Sequence, residues 1–313
     1  MEATAMTSAS TTSRLEHVLS SEQFDRQSLD DVFARADRLA GHRDTRLAGR
    51  IMATLFYEPS TRTRLSFESA MLRLGGSVMG TEAAREFSSV IKGETLEDTI
   101  RMVSSYADVI VLRHDQAGAA ARAAAVASVP VVNAGDGPGE HPTQALLDLY
   151  TIRCERGSAD GVHIAFCGDL RFGRTVHSLV QLLSLHPGVR MSFVAPEVVQ
   201  VGADLQARMT AAGVPFQLTD RLDGVIESVD VVYQTRVQKE RFTDLADFEA
   251  ARRAIRIDAE VMRALPAKAI VMHPLPRVDE IATEVDADPR AAYFRQARNG
   301  VAVRMAVLDL LLG

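Results

Sequence analysis

Residues 50–65 read RIMATLFYEPSTRTRL, and the change of character inside this stretch decides the fold class. Arg50 to Tyr57 reads as a strand. From Ser60 to Leu74 the pattern becomes helical, with Phe67, Ala70, Met71 and Leu74 on one face, and Gly75-Gly76 stops it. A strand that runs through a short polar link into a helix is the unit of a parallel sheet with helices on both faces. The unit recurs. Thr95 to Tyr106 is helical, with Glu94, Glu97 and Asp98 favourable near its N-terminus. Val109–Leu112 and Val129–Val132 are short buried-type strands, and His141–Cys154 is a helix. A second series follows: strand Val162–Cys167, helix Arg174–Leu185, then strands Arg190–Val194, Val229–Tyr233 and Ile270–Met272. Asp288-Pro289 reads as the N-cap and first residue of a final helical region, with Asn299-Gly300 as an interruption.

The two series predict an α/β protein with two doubly wound parallel-sheet domains, 15–150 and 151–288. The closing helix, about 289–313, is expected to fold back on the first domain. Residues 1–14 are rich in Ser, Thr and Ala and are expected to be a disordered tail. They lack the apolar stretch of a signal peptide, and their single basic residue, Arg14, suits a transit peptide poorly.

Of 313 residues, 47% are hydrophobic and 24% charged, which excludes wholesale disorder and suits two domains. Lys and Arg number 35 against 41 Asp and Glu, a net −6, which argues against a nucleic-acid binder. No apolar run approaches the ~18 residues of a membrane span. The two cysteines, Cys154 and Cys167, form neither a CxxC pair nor a disulfide framework. A reducing, cytoplasmic setting is the expectation.

In open parallel sheets ligands bind beyond the carboxyl ends of the strands. After the first strand come Ser60, Thr61, Arg62 and Thr63, opening a helix. Free backbone N–H groups and the helix dipole favour an anion there, the hydroxyls add donors, and a guanidinium adds a fork for phosphate oxygens. Capping needs one hydroxyl, not three hydroxyls and two arginines in five residues. Arg113 follows the second strand. The third leads into NAGDGPGEHPTQ, residues 133–144. Its glycines are spaced G-x-G-x-G, not G-x-G-x-x-G, so a dinucleotide fingerprint is absent. His141 stands at a helix start, where protonation is disfavoured and a neutral ring can donate to a carbonyl oxygen; a plain local cap is the competing reading. Gln144 lies one turn on. Arg174 and Arg236 follow strands of the second series, and His273-Pro-Leu-Pro-Arg277 follows the last. Burying several arginines without anions is costly, so the substrates should carry several negative charges. No HExxH, no carboxylate cluster at ligand spacing, no phosphate loop and no G-x-S-x-G is present, so neither metal nor cofactor nor protein nucleophile is expected. Donors and positive charge suit direct group transfer between two bound anions.

These segments, STRTR (60–64), HPTQ (141–144), TRVQKER (235–241) and HPLPR (273–277), closely resemble the aspartate carbamoyltransferases, from about Leu15 to Gly313. Ornithine carbamoyltransferases tend to carry a His-Cys-Leu-Pro motif and a Ser-Met-Gly loop; here Pro274 stands at the cysteine position and Arg236 where a second carboxylate needs a partner. The resemblance implies transfer of the carbamoyl group of carbamoyl phosphate to L-aspartate, an early step of de novo pyrimidine biosynthesis, with the active site between the domains and at a subunit interface. It implies that Ser60, Thr61, Arg62 and Thr63 hold the phosphate, and that Thr63, Arg113 and His141 polarise the carbonyl. Gln144 and the Leu275 backbone would hold the amide, and Arg174, Arg236 and Gln238 the two carboxylates. Ser88 and Lys92 would act in the neighbouring site of a homotrimer; a solvated loop is the ordinary alternative, and Ile91 stands where some relatives have a second lysine. The REFS version of that loop (85–88) resembles plant enzymes inhibited by UMP, so UMP is expected to compete at the site, and a plastid stroma is the alternative location. A different amine acceptor such as ornithine, or a non-catalytic anion-binding subunit, are the rival readings. No nucleic-acid or membrane partner is expected; a regulatory subunit or a dihydroorotase partner is compatible with the sequence but not indicated by it.

Overall fold

A computed structural model describes residues 15–82, 93–237, 244, 248–249 and 255–313. Among these the chain forms two sheets. The first holds β1 (Ile51–Phe56), β2 (Ser77–Glu82), β3 (Val109–His114) and β4 (Val131–Asp136) in the order β2-β1-β3-β4. The second holds β5 (His163–Cys167), β6 (Arg190–Val194), β7 (Phe216–Thr219), β8 (Val231–Gln234) and β9 (Ile270–Met272) in the order β7-β6-β5-β8-β9. Every strand pairing is parallel. In each sheet the order reverses beside a central strand, which opens a crevice at the carboxyl ends.

Side chains alternate across each strand. Met52 and Phe56 of β1 join one core with Leu29, Val32 and Phe33 of α1 (Arg26–Leu39) and Phe67, Ala70 and Met71 of α2 (Thr61–Arg73). Ala53 and Leu55 face the other way, onto α3 (Leu96–Val103) and α4 (Ala119–Val126). In β5, Ile164 and Phe166 enter the first core, and the Phe166 ring stacks on Phe193 at 5.3 Å between centroids. Ala165 and Cys167 face a separate core that includes Met262 of α8 (Ala259–Ala264). α5 (Pro142–Arg156) is buried continuously from Pro142 to Ile152. It touches β4, α6 (Arg174–Leu183) and α9 (Tyr293–Leu312), so one apolar core runs through both sheets by way of this helix. α9 also lies against α1 and α2. Leu205 and Met209 of α7 (Ala203–Ala211) join the first core together with Met191 and Phe193 of β6. No described helix is long and apolar enough to cross a membrane.

Two expectations for the C-terminal region fail. Asp288-Pro289 does not start the last helix, which begins at Tyr293 with Ala292 at its cap. The Asp288 carboxylate instead holds the Arg290 guanidinium at 2.7 Å and 3.0 Å. Residues 290–292 extend alongside β9, with the Val271 N–H donating to Arg290 O and the Ala292 N–H to Val271 O. Strand-like pairing there outcompetes an early helical turn. Asn299-Gly300 does not interrupt α9, which is continuous over 20 residues. β4 also runs on through Asn133 to Asp136, into what reads as a glycine-rich turn.

Gly300 is buried, and its reason is space. An added Cβ would overlap the Arg304 guanidinium and come within 3.1 Å of Leu147 Cδ2. In an open helix, Gly→Ala gains about 1 kcal/mol. Here overpacking should reverse the sign, so Gly300→Ala is expected to lower Tm in a thermal scan. A raised Tm would mean that Arg304 yields freely.

Candidate active site

Six carboxyl-terminal strand ends empty into one cavity of about 750 Å³ between the sheets. Its lining includes Ser60, Thr61, Arg62, Thr63, Arg113, His141, Gln144, Arg174, Arg236 and Leu275. All the sequence-nominated residues within the described set are therefore brought together. Gln238, Ser88 and Lys92 lie outside the described residues.

β1 delivers the N-terminus of α2. Ser60 occupies the N-cap position, yet its hydroxyl makes no capping hydrogen bond, and Thr63 is buried beneath it. The helix N–H groups and these hydroxyls form an anion site of ordinary physical type. β3 delivers Arg113, whose Nη1 donates to Ala134 O at 3.1 Å. Beside it, near the end of β4, lies Gly135, at φ 115°. A Cβ on Gly135 would lie 2.9 Å from Arg113 Nη1 and 3.1 Å from Arg174 Nη2, so glycine permits the two guanidiniums to flank this backbone. Arg174, the first residue of α6, donates to Gly137 O. Glu58, not singled out in the sequence, bridges the pair at 3.3 Å from Arg113 and 3.9 Å from Arg174. Even so, burial, together with the charges of Arg174 and Arg62, brings Arg113 down to about 10.

His141 stands at the N-cap position of α5 without capping it. Its ring is buried, and among the described residues Nδ1 has no hydrogen-bond partner. Burial, then the charges of Arg174, Arg113 and Arg304, hold its pKa well below the ordinary histidine value. A neutral imidazole offers one N–H donor and one acceptor. It can therefore donate to a carbonyl oxygen without adding another cation.

Gln144 donates from Nε2 to Asp148 Oδ1 at 2.8 Å, which leaves Oε1 as the acceptor of this amide. In the loop after β9, Leu275 has φ 56°, a left-handed backbone that leucine adopts only under constraint. The constraint is visible: the Leu275 N–H donates to His273 Nδ1 at 2.7 Å, and His273 Nε2–H donates to Glu280 at 2.8 Å. Burial raises the Glu280 carboxyl, but donors from His273 and the backbone outweigh it and hold it at about 2. The ionised carboxylate thus fixes the His273 tautomer, and the flanking prolines offer no N–H, so the local backbone presents carbonyls.

Three lining or supporting residues escaped the sequence reading. Arg304 of α9 is buried, stacks over Phe67 at 5.0 Å and is brought down to about 10 by burial. Gln296 of α9 lines the cavity. Asp148 of α5 is fully buried beneath it, and burial lifts its carboxyl to about 7. All three sit on amphipathic or fully buried helices, where a polar residue carries no spacing signal.

The neutral state of His141 is directly observable. Its ring signals in NMR should not titrate between about pH 6 and 9, because protonation occurs only below the ordinary range. A midpoint at or above that of an exposed histidine would contradict the electrostatics described.

Residues 16–154 match the family model described as the carbamoyl-P binding domain of aspartate/ornithine carbamoyltransferase, and residues 160–311 match the Asp/Orn binding domain of the same family. The chloroplastic aspartate carbamoyltransferase of Arabidopsis thaliana is 55% identical over 95% of this chain and 78% of its own. The aspartate carbamoyltransferase catalytic subunit of Methanocella arvoryzae is 50% identical over 95% and 97%. Among solved structures, aspartate transcarbamoylase from Trypanosoma cruzi bound to N-(phosphonacetyl)-L-aspartic acid superposes with a TM-score of 0.90 at 49% identity, covering 95% of this chain and 96% of its own. That enzyme has also been solved with carbamoyl phosphate and with carbamoyl aspartate plus phosphate. The chain belongs to the aspartate/ornithine carbamoyltransferase family, among the catalytic chains of the aspartate carbamoyltransferases.

Proposed function

We propose that this chain transfers the carbamoyl group of carbamoyl phosphate to L-aspartate, giving N-carbamoyl-L-aspartate and phosphate, in de novo pyrimidine biosynthesis. The observation that supports it most is the convergence of Arg62, Arg113, Arg174 and Arg236 on one cavity with the α2 N-terminus and a neutral His141. The phosphate sits on Ser60, Thr61, Arg62 and Thr63. Thr63, Arg113 and His141 draw electron density onto the carbamoyl oxygen. Gln144 Oε1 and the Leu275 carbonyl accept from the amide. Arg174 and Arg236, with Gln238, take the two carboxylates of aspartate.

The amine nitrogen attacks the carbonyl carbon, the C–N bond forms, and negative charge collects on the oxygen. The C–O bond to phosphate then breaks with its electron pair on the phosphate, which accepts the amine proton. No step needs a protein base. Donors fixed before the charge develops stabilise it without reorganisation, and each is worth about 10²–10³ in rate. The reading includes a homotrimer in which Ser88 and Lys92 reach a neighbouring cavity, inhibition by UMP through the phosphate site, and work in a reducing compartment, the cytoplasm or a plastid stroma.

Phosphate release should depend on aspartate, stay at background with ornithine, and collapse in Arg236→Ala by about 10²-fold or more. Ornithine-dependent turnover, or an unaffected variant, would overturn the acceptor assignment. UMP should raise the apparent KM for carbamoyl phosphate without lowering kcat; an unchanged rate at low carbamoyl phosphate and saturating UMP would exclude that inhibition.

A further inference from the structure

Asp148 touches neither the cavity nor any residue expected to carry charge in the reaction, yet three elements spend buried donors on it. Its Oδ1 accepts from Gln144 Nε2 at 2.8 Å and from Gln296 Nε2 of α9 at 2.6 Å. Its Oδ2 accepts from Tyr233 Oη of β8 at 2.6 Å. Asp148 and Tyr233 are fully buried, and Gln296 nearly so. The chain of bonds continues: Gln296 Oε1 accepts from the His273 N–H at 2.9 Å, and His273 Nδ1 accepts from the Leu275 N–H at 2.7 Å. One unbroken path therefore runs from Gln144, through Asp148, Gln296 and His273, to Leu275.

The orientation of both glutamine amides on this path is set at Asp148. A carboxylate oxygen that already receives two N–H groups has no proton to give. Both glutamine amides must turn their nitrogens toward it. For Gln144 this leaves Oε1 for the cavity; for Gln296 it leaves Oε1 for the His273 N–H, which in turn orders the Leu275 loop. At one end Gln144 Oε1 is left to accept; at the other stands Leu275, whose carbonyl accepts as any backbone carbonyl does, and an amide –NH2 group is a pair of donors.

We propose that Asp148 is a positioning residue that makes the site select a carbamoyl –NH2, by holding Gln144 with Oε1 free to accept beside the Leu275 carbonyl. This rests on the assignment of those two residues to the amide of carbamoyl phosphate. A site built to accept two N–H bonds rejects an isostere that lacks them, because its acceptors are then left unpaired. Acetyl phosphate is that isostere: it keeps the phosphate and the carbonyl and replaces –NH2 by –CH3.

The test is calorimetric binding of carbamoyl phosphate and acetyl phosphate to the intact assembly of wild type, Asp148→Ala and Asp148→Asn. Wild type should prefer carbamoyl phosphate by on the order of tenfold or more. Asp148→Ala should bind both ligands within about twofold of each other, since Gln144 is then free to turn. Asp148→Asn should keep most of the preference, because its Oδ1 can still accept both amides while Nδ2 donates to Tyr233. Asp148→Ser, which leaves less empty volume, carries the same expectation as alanine should that variant not fold. Retained preference in Asp148→Ala or Asp148→Ser, or equal loss in Asp148→Asn, would overturn the positioning role alone. A wild type that binds both ligands equally would overturn the amide assignment itself, and the proposal with it.

Discussion

Like charges held together are the constraint around which this molecule is organised. Arg62, Arg113 and Arg174 oppose one another across one cleft, and burial, followed by the charges of Arg174, Arg113 and Arg304, holds His141 unprotonated. Repulsion of this kind costs stability unless an anion answers it. Glu58 answers part of it, near Arg113 and Arg174. Substrate anions answer the rest. The cleft is thus unfavourable as a protein interior and favourable as a receptor, and the attraction of the same fixed guanidiniums for developing negative charge supplies transition-state stabilisation without reorganisation.

The fold bears this cost by placing the arginines at strand ends. Arg113 lies in β3, and Arg62 and Arg174 stand in the first turns of α2 and α6, just after β1 and β5, so packed elements bring all three to one crevice. Gly135 lets Arg113 and Arg174 approach the same backbone, and their bonds to Ala134 O and Gly137 O anchor them. α5 ties the arrangement together: its first residues form the site, its middle holds Asp148, and its apolar surface joins both sheets. α9 completes the cavity wall with Gln296 and Arg304.

What could be read from the sequence was what lies contiguously after a strand. STRTR, HPTQ and HPLPR each announce a site in a few residues, because hydroxyls, arginines and prolines cluster only where backbone geometry and charge serve a ligand. Arg113 and Arg174 were legible from position alone. Asp148, Gln296 and Arg304 were not, since each is one polar residue on a helix and has a partner more than 80 positions away in sequence. β2 and β7 escaped for a different reason. β2 is interrupted by Gly80, and β7 is a four-residue edge with two exposed side chains. α4 is nearly all alanine and shows little amphipathic contrast. At the last helix, local rules misled: Asp-Pro and Asn-Gly are good start and stop signals, but pairing with β9 and packing against Leu147 and Arg304 override them.

The most direct measurement is a crystal structure of this chain with N-(phosphonacetyl)-L-aspartic acid, whose phosphonate and two carboxylates probe every cationic position at once. The expected binding mode places the phosphonate at the α2 N-terminus within hydrogen-bonding distance of Ser60, Arg62 and Thr63. It places the ligand carbonyl against His141 and Arg113, and the carboxylates on Arg174 and Arg236. A ligand whose phosphonate lies away from the α2 N-terminus, or whose carboxylates leave Arg174 and Arg236 to other partners, would contradict it.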